Sequence, residues 1–209
     1  MAYHFCGSKN NTNGAAKFLE ELLRSDFVGL NVIGIVCYMG NGGILKQLGF
    51  RFESENMVYK VPHPGNPAKT LYFIPDTVHV FKSLKEMLMK SIQICLPDDT
   101  VARYNLPSKV VRMDQVKWLD KEQSDSVLKF ALKLKDSDLN ATHFQKMKVT
   151  RSTNVISSQV GGALIHRGEK HDDPSMITTG WFIKQFRRWF SIVTSRHQGT
   201  ALSYHNGFL

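Results

Sequence analysis

A chain of 209 residues can form one large domain or two small ones, each with its own buried core. With 42% hydrophobic and 22% charged residues, the composition is that of a globular protein, so disorder is not expected. The formal net charge of +9 favours polyanions such as DNA, RNA or nucleotide phosphates, although many basic proteins bind none of these. No apolar stretch approaches about 18 residues and no secretory signal pattern is visible, so neither a membrane span nor export is predicted.

The first part of the chain predicts strands that alternate with helices. Strands are predicted at 30–37, 50–52, 58–61 and 71–74, because these segments are short, apolar and rich in β-branched or aromatic residues. Helices are predicted at 14–24, at 44–48, where Gly49 ends the helix, and at 77–90. This alternation favours an α/β layer over the first ~95 residues.

The second part of the chain predicts helices almost alone. A polar linker is expected from Pro97 to about Ser108, and a charged loop at 168–174. Helices are predicted at 120–134, 153–164 and 181–193, the last with an aromatic stripe. The fold class is therefore α/β and then mostly α, with a domain boundary near residue 100.

Three widely separated cysteines, Cys6, Cys37 and Cys95, form no Cys-x-x-Cys pattern and no Cys/His cluster, which argues against a zinc finger. The odd number of cysteines indicates a reducing compartment, the cytosol or the nucleus. There is also no P-loop pattern of the kind that binds phosphates in ordinary NTPases.

Four stretches, in the same order along the chain, resemble P-element-like and THAP-type DNA transposases. Residues 34–48 resemble a strand–turn–helix segment with the pattern Val-Val-Cys-Asp-Met-Gly. Residues 63–84 begin with His-Pro and contain Asp-x-x-His-x-x-Lys, matched by Asp76, His79 and Lys82. Residues 145–157 match Lys-Met-x-Val and a later Ser, and residues 182–196 match an aromatic helix followed by Ser-Arg.

The resemblance implies a partial RNase-H-like core in residues 1–100 and a helical GTP-binding insertion domain in residues 101–209. In this family three acidic residues hold two divalent metal ions that act on a phosphodiester. Tyr38 occupies the position of the second acid, and the positions of the other two lie outside the matched stretches. A tyrosine phenol has a pKa near ~10, whereas Mg²⁺ prefers carboxylate oxygen. We therefore predict no catalytic residue, no metal site and no cleavage of DNA by this chain.

Asp76 and His79 lie one helical turn apart, so their side chains can share a face. The resemblance implies that this motif, which includes Lys82, orients the core near the metal site or touches DNA. Alternatively, Asp76 caps the helix that follows, and His79 packs beneath it. The second interpretation is favoured for Asp76, and the role of His79 stays open.

The resemblance also implies a nucleotide site in the helical part. Phosphate or ribose contacts fall on Lys133, Lys148, Val149 and Ser157. The ring that stacks on the guanine is Phe190, unless the aromatic helix simply packs in the core. Ser191 and Thr194 replace the family's guanine-reading Asp and Asn, and loss of such a charged hydrogen bond typically costs about 1.5–3 kcal/mol. GTP binding is thus expected to be weakened or lost.

Two basic patches are candidates for contact with DNA backbone or nucleotide phosphate, or are solvated helix faces. The first contains Lys184, Arg187, Arg188 and Arg196, and the second contains Lys146, Lys148 and Arg151. Two functions follow. The chain is a non-catalytic transposase fragment that binds DNA and GTP, or a domesticated regulatory interaction module that has lost nucleotide binding. The resemblance implies a nuclear location, and the oligomeric state stays open.

Overall fold

The structure, a computed structural model, describes residue 21 and residues 32–37, 42–53, 56–90, 93–124, 128–140, 142, 148–197 and 199–200. Its contacts divide the chain into two compact units, Met1–Asp76 and Thr77–Leu209. Most of the helix predicted at 14–24, the first residues of the strand predicted at 30–37, and Tyr38 lie outside the described residues. The predicted RNase-H-like and GTP-binding assignments of the two parts stay predictions.

The first unit, up to Asp76, is built around a three-stranded sheet. The elements are β1 (Gly34–Cys37), α1 (Gly42–Gln47), β2 (Arg51–Glu53), β3 (Asn56–Val58), β4 (Lys60–His63) and β5 (Asn66–Pro75). The sheet has the order β1-β5-β4, with β5 parallel to β1 and antiparallel to β4, whereas β2 and β3 form a separate antiparallel pair. The mixed α/β character predicted for this part is confirmed.

Alternation of apolar residues places the core of the first unit on one face of the sheet. Leu71 and Phe73 of β5 are buried, whereas Tyr72 and Ile74 between and beyond them are exposed, as expected for a strand with one covered face. Gly49 ends α1 as predicted. Its φ of +93° is left-handed backbone, which favours glycine.

The second unit, from Thr77 onward, is mainly helical. Its elements are α2 (Thr77–Lys90), β6 (Ile94–Cys95), α3 (Asp98–Arg103), β7 (Val110–Val111), α4 (Asp114–Ser124), α5 (Asp136–Leu139), α6 (Val149–Val155), α7 (Ser158–His171) and α8 (Pro174–Val193). The helix predicted at 77–90 is confirmed from end to end as α2. The linker predicted from Pro97 to Ser108 contains α3, and the flanking strands β6 and β7 pair with each other.

The helix predicted at 120–134 is wrong in position. The helix in this region, α4, begins at Asp114 and ends at Ser124, and among the described residues 128–135 there is no helix. The buried side chain of Gln123 explains the difference, because it both donates to the carbonyl and accepts from the N–H of Ala131. These bonds hold the backbone of Ala131 against α4.

The helix predicted at 153–164 is two helices, α6 and α7, separated by Ile156 and Ser157. The Ser157 hydroxyl accepts a hydrogen bond from the Val160 N–H at 3.2 Å and so begins α7 as its N-cap. The charged loop predicted at 168–174 is also wrong, because α7 continues to His171 and α8 begins at Pro174.

Two residues make this tight junction between α7 and α8. Asp172 adopts left-handed backbone with a φ of 52°, a conformation that Asp tolerates better than most side chains. Asp173 caps α8, with its carboxylate accepting from the backbone N–H groups of Ser175 and Met176. Pro174 occupies the first position of α8. This position tolerates proline, because its N–H would have no partner within the helix and the fixed φ of proline is helical.

α7 and α8 cross at glycines. A Cβ placed on Gly180 would lie 2.5 Å from the Gly161 carbonyl oxygen, and one placed on Gly161 would lie 2.7 Å from the Gly180 carbonyl oxygen. The two backbones therefore approach more closely than any other residue type would allow. Around this crossing lies the core of the second unit, whose buried members include Phe81, Val116, Leu119, Leu164 and Ile183.

Candidate functional site

The two lysines predicted to contact nucleotide phosphate are exposed. Lys148 directly precedes α6, and Lys133 lies in a turn between α4 and α5. Val149, the first residue of α6, is partly buried and packs against the core of the second unit. Lys146 and Met147 lie outside the described residues, so the geometry of the Lys-Met-x-Val stretch is described only at Lys148 and Val149.

Ser157, predicted to contact phosphate or ribose, has a structural role in α7. Its hydroxyl oxygen accepts from the backbone N–H of Val160, and its carbonyl accepts from the N–H of Gly161. A hydroxyl that already caps a helix has less capacity left to accept bonds from a ligand. Its role in nucleotide binding stays a prediction.

Phe190, predicted to stack on guanine, is a core residue in this structure. The ring is 7% exposed and stacks on Phe81 with a centroid separation of 4.0 Å and an interplanar angle of 21°. These are the surroundings expected if the aromatic helix serves packing. The burial counts against base stacking at this position, and the nucleotide role of Phe190 stays a prediction.

The two residues at the guanine-reading positions donate to their own helix. The Ser191 hydroxyl donates to the Arg187 carbonyl at 2.9 Å, and the Thr194 hydroxyl donates to the Phe190 carbonyl at 2.6 Å. Such bonds satisfy the hydroxyls within α8 and its last turn. The structure thus brings Phe190, Ser191 and Thr194 together at the end of one helix, with both hydroxyls bonded to backbone carbonyls of that helix.

The Asp-x-x-His-x-x-Lys motif spans the division between the two compact units. Asp76 is half-buried and ends the first unit, and its backbone N–H donates to the Cys37 carbonyl at 3.1 Å. His79 and Lys82 are half-buried on α2 in the second unit. Neither interpretation of Asp76 and His79 is tested by these positions.

The His-Pro pair of the second stretch serves a turn. His63 is 5% exposed, and its Nδ1 accepts from the backbone N–H of Gly65 at 3.1 Å. This bond fixes the tight connection between β4 and β5. A structural use of this kind explains a histidine at the end of β4 without a role as a metal ligand.

The residue at the second acidic position, Tyr38, follows directly after β1 but lies outside the described residues. Burial raises the pKa of the neighbouring Cys37 thiol above its ordinary value, so this thiol is a weak nucleophile at neutral pH. Within the described part of the chain, no group of three or more His, Cys, Asp or Glu side chains is placed to hold a metal ion.

Three of the predicted basic residues form a basic face on α8. Lys184, Arg187 and Arg188 are spaced i, i+3 and i+4, so they lie on the same side of the helix. Lys184 and Arg188 are exposed, and Arg187 is partly buried. Ile183 and Phe190 of the same helix lie in the core. The face therefore presents basic groups to solvent on a helix that the core holds in place.

The second predicted basic patch is partly neutralised. The Arg151 guanidinium donates to the Ser137 carbonyl and lies 3.6 Å from the Asp138 carboxylate, which is 4% exposed. An arginine that is paired with a buried carboxylate contributes little charge to a polyanion. Of the residues in this patch that the structure describes, Lys148 is the exposed one.

Sequence reasoning missed a pocket of about 350 Å³ in the second unit. It is lined mainly by residues around the beginning of α4 and the junction of α7 with α8, namely Arg112, Asp114, Gln115, Trp118, His171 and Asp173. The contributing segments are about 55 residues apart in sequence, and neither carries a recognisable motif. Only Asp173 gave a local signal, as an Asp before Pro at the beginning of a helix.

Comparison with known proteins supports the fold. No protein-family model and no curated protein matches the chain. A solved strand transfer complex of the Drosophila P element transposase matches with a TM-score of 0.69 and 20% sequence identity, over 90% of this chain. The fold resembles that of a P element transposase.

The matched region is a part of the larger protein, since the chain spans 40% of the length of the solved transposase chain. At 20% identity the likeness concerns the fold. The transposase and P element parts of the resemblance are thus supported at the level of fold, whereas the THAP type and the RNase-H-like layer stay predictions. No described helix has the length and apolar character needed to cross a membrane.

Proposed function

We propose that this chain is a non-catalytic DNA-binding fragment with the fold of part of a P element transposase. The observation that carries the proposal is the match of this fold over 90% of the chain, joined to the basic face of α8. Tyr38 at an acidic position of the family's metal site supports the absence of catalysis. By the same resemblance, the protein acts in the nucleus.

The basic face of α8 would contact the DNA backbone. Lys184 and Arg188 are exposed one helical turn apart, with Arg187 between them. Cations at this spacing can meet phosphates of one strand, and each contact releases condensed counterions. Such binding is insensitive to sequence and weakens steeply as salt concentration rises. The net charge of +9 adds long-range attraction.

A double variant tests this surface. Lys184→Gln with Arg188→Gln is expected to weaken binding to a fluorescent duplex and to reduce the slope of log Kd against log salt by about 1–2, from loss of one or two phosphate contacts. The measurement is fluorescence anisotropy between 50 and ~200 mM salt.

The control is Lys117→Gln with Lys121→Gln, which removes the same charge from two exposed residues of α4. If both double variants lose affinity equally, binding reflects net charge and the α8 surface is not the site. If the unaltered chain does not bind duplex DNA at all, the DNA-binding proposal fails. The alternative, a regulatory interaction module, then becomes the favoured function.

Catalytic inactivity has its own test. Supercoiled plasmid incubated with the chain and Mg²⁺ or Mn²⁺ is expected to stay intact, because Tyr38 cannot supply a carboxylate to a two-metal centre. Metal-dependent nicking that copurifies with the chain and persists in Tyr38→Phe would contradict the proposal. A chain carrying Tyr38→Asp serves as comparison, and it too is expected to be inactive, since one restored acid does not complete a set of three.

GTP binding is a second candidate, favoured by the exposure of Lys133 and Lys148. The burial of Phe190 and the bonds of Ser191 and Thr194 within α8 oppose recognition of the base. We therefore expect weak binding with little preference for GTP over ATP, reduced by Lys148→Ala. Isothermal titration calorimetry with GTP and with ATP measures the affinity of the unaltered chain and of the Lys148→Ala variant. Tight binding selective for GTP would contradict this expectation, and no binding at millimolar nucleotide would remove the candidate.

A further inference from the structure

The pocket at the beginning of α4 has a wall made of an aromatic pair. Trp118 is 38% exposed, and the His171 ring meets it at 87° with a centroid separation of 5.9 Å. In an edge-on contact of this kind the edge of one ring lies against one face of the other, so the two rings are not stacked face to face. An exposed tryptophan face attracts cations and planar groups through its quadrupole.

The charge of the pocket is opposite in sign to that of the protein. Asp114 and Asp173 carry two negative charges against the single positive charge of Arg112, whereas the whole chain carries +9. Arg112 is engaged with Asp114 through two bonds, from Nε to Oδ1 at 3.3 Å and from the terminal nitrogen to Oδ2 at 2.6 Å. A locally acidic lining on a basic protein selects against phosphates and in favour of cations.

Gln115 adds an acceptor that is not used inside the second unit. The residue is 5% exposed, and its Nε2 donates to the Ser175 hydroxyl at 2.7 Å and to Asp173 Oδ2 at 3.3 Å. Its Oε1 is buried and has no hydrogen-bond partner among the residues that the structure describes. Unpaired buried acceptors are costly, so an N–H group supplied by a ligand at this wall would be favoured.

The geometry points to a pocket that binds the basic side chain, arginine or lysine, of a partner polypeptide. The cation would lie against Trp118 near the carboxylates of Asp114 and Asp173, and Gln115, whose Oε1 lacks a partner among the described residues, would have to turn its side chain to accept from it. A volume of about 350 Å³ accommodates such a side chain. This inference does not depend on DNA binding by α8, because none of its residues belongs to that face.

Short peptides provide the probes. An acetylated, amidated peptide with two arginines separated by glycine is titrated into the ¹⁵N-labelled chain, and its glutamate counterpart is titrated in parallel. The arginine peptide is expected to shift the indole N–H signal of Trp118 and the side-chain amide signals of Gln115. The indole signals of Trp181 and Trp189, which are not pocket residues, should stay in place.

Two aromatic substitutions locate the effect. Trp118→Ala is expected to weaken binding of the arginine peptide about tenfold, through loss of a cation–π contact, and Trp118→Phe is expected to weaken it about threefold. Tyr104→Ala is the matched control, since Tyr104 is also a half-exposed ring in an aromatic pair, with Trp181. It should leave binding unchanged.

Several outcomes would overturn the inference. These are equal binding of the arginine and glutamate peptides, no shift of Trp118 at millimolar arginine peptide, or a shift of Trp118 produced instead by single-stranded DNA or GMP. The peptide shifts are measured on the unaltered chain, so they decide the question even if a Trp118 variant fails to fold.

Discussion

Asp173 holds the first turn of α8 in place. Burial acts to raise the pKa of this carboxyl, but hydrogen bonds from the Ser175 side chain and from the backbone of Met176 and Ser175 outweigh it, so the pKa lies below its ordinary value of 3.8. A lowered pKa in the folded state means that ionised Asp173 stabilises the fold above pH ~4 and that this contribution is lost as pH falls further.

Asp173→Ala should therefore lower the free energy of unfolding by about 1 kcal/mol at pH 7, through loss of the cap. Urea denaturation followed by far-UV circular dichroism measures the change, and the difference from the unaltered chain should shrink below pH ~4. Asp172→Asn is the control, since asparagine also tolerates the left-handed backbone at this position. A loss of equal size in the control would refute the capping role.

Asp120 behaves in the opposite way. Burial, and after it the charge of Asp136, raise the pKa of the Asp120 carboxyl above 3.8. The folded state therefore binds this proton more tightly than the unfolded state does, so ionisation of Asp120 destabilises the fold at neutral pH. The penalty disappears as pH falls through the raised pKa.

We expect Asp120→Asn to raise the midpoint of thermal unfolding at pH 7, with a gain that shrinks at acidic pH. Asp98→Asn, at a carboxylate that is 90% exposed, should change the midpoint much less. A gain at pH 7 that persists unchanged to pH 3 would show that the effect of Asp120 is not electrostatic.

Single residues also show where sequence reasoning stops. The sequence predicts ligand contacts at Ser157 and Phe190, and the structure places the first as the cap of α7 and the second stacked on Phe81 in the core. Their residue types suit either use, so their nucleotide roles stay predictions. Gln115 and Trp118 carried no signal, because a pocket wall has no fixed spacing in sequence.

At the scale of elements, the crossing of α7 and α8 depends on glycine. Gly180→Ala should destabilise the second unit by about 1–3 kcal/mol, since the new methyl group would overlap the Gly161 carbonyl and the Ile165 side chain. Gly162→Ala is the control. It lies in the same helix pair with open space at its Cβ, and it should stabilise by about 0.5–1 kcal/mol.

Urea denaturation of both variants checks this prediction. Equal effects of the two substitutions would mean that the helices can move apart at little cost. Such an outcome would contradict the close approach of the two backbones.

Elements with a complete amphipathic pattern were predictable. α2 follows its apolar period from end to end, and the strands predicted at 30–37 and 71–74 overlap β1 and β5. The single strand predicted at 58–61 is wrong, because its residues are divided between β3, which ends at Val58, and β4, which begins at Lys60. Helices whose ends are set by hydrogen bonds to residues distant in sequence were not predictable. α4 ends at Ser124, where the side chain of Gln123 bonds to the backbone of Ala131. The strands β6 and β7 have two residues each and are too short to show a hydrophobic period.

At the scale of the whole molecule, each compact unit has its own hydrophobic core. Among the residues that the structure describes, the core of the second unit contains residues from α2 onward, and that of the first contains residues up to Phe73. A fragment of residues 77–209 should therefore keep its helical circular dichroism and unfold cooperatively. A broad, non-cooperative transition would show that the second unit needs the first.

The general fold was thus within reach of the sequence, and the transposase resemblance agrees with the solved structure that matches it. The predicted boundary near residue 100 follows the change in sequence character, whereas the contacts divide the chain after Asp76. The predicted domain assignments stay predictions. α2 has the appearance of an element that completes an α/β layer, but its buried residues Phe81 and Leu88 belong to the helical core.

The glycine crossing has a consequence for any ligand of α8. Because backbone meets backbone at Gly161 and Gly180, side-chain rotamers cannot vary the distance between the helices. The stem of Lys184 lies directly over Gly161, so its ammonium group starts from a partly fixed direction. A polyanion that docks here would restrict the Lys184 side chain less than it would restrict a lysine without such a contact, and the entropy lost on association would be correspondingly smaller.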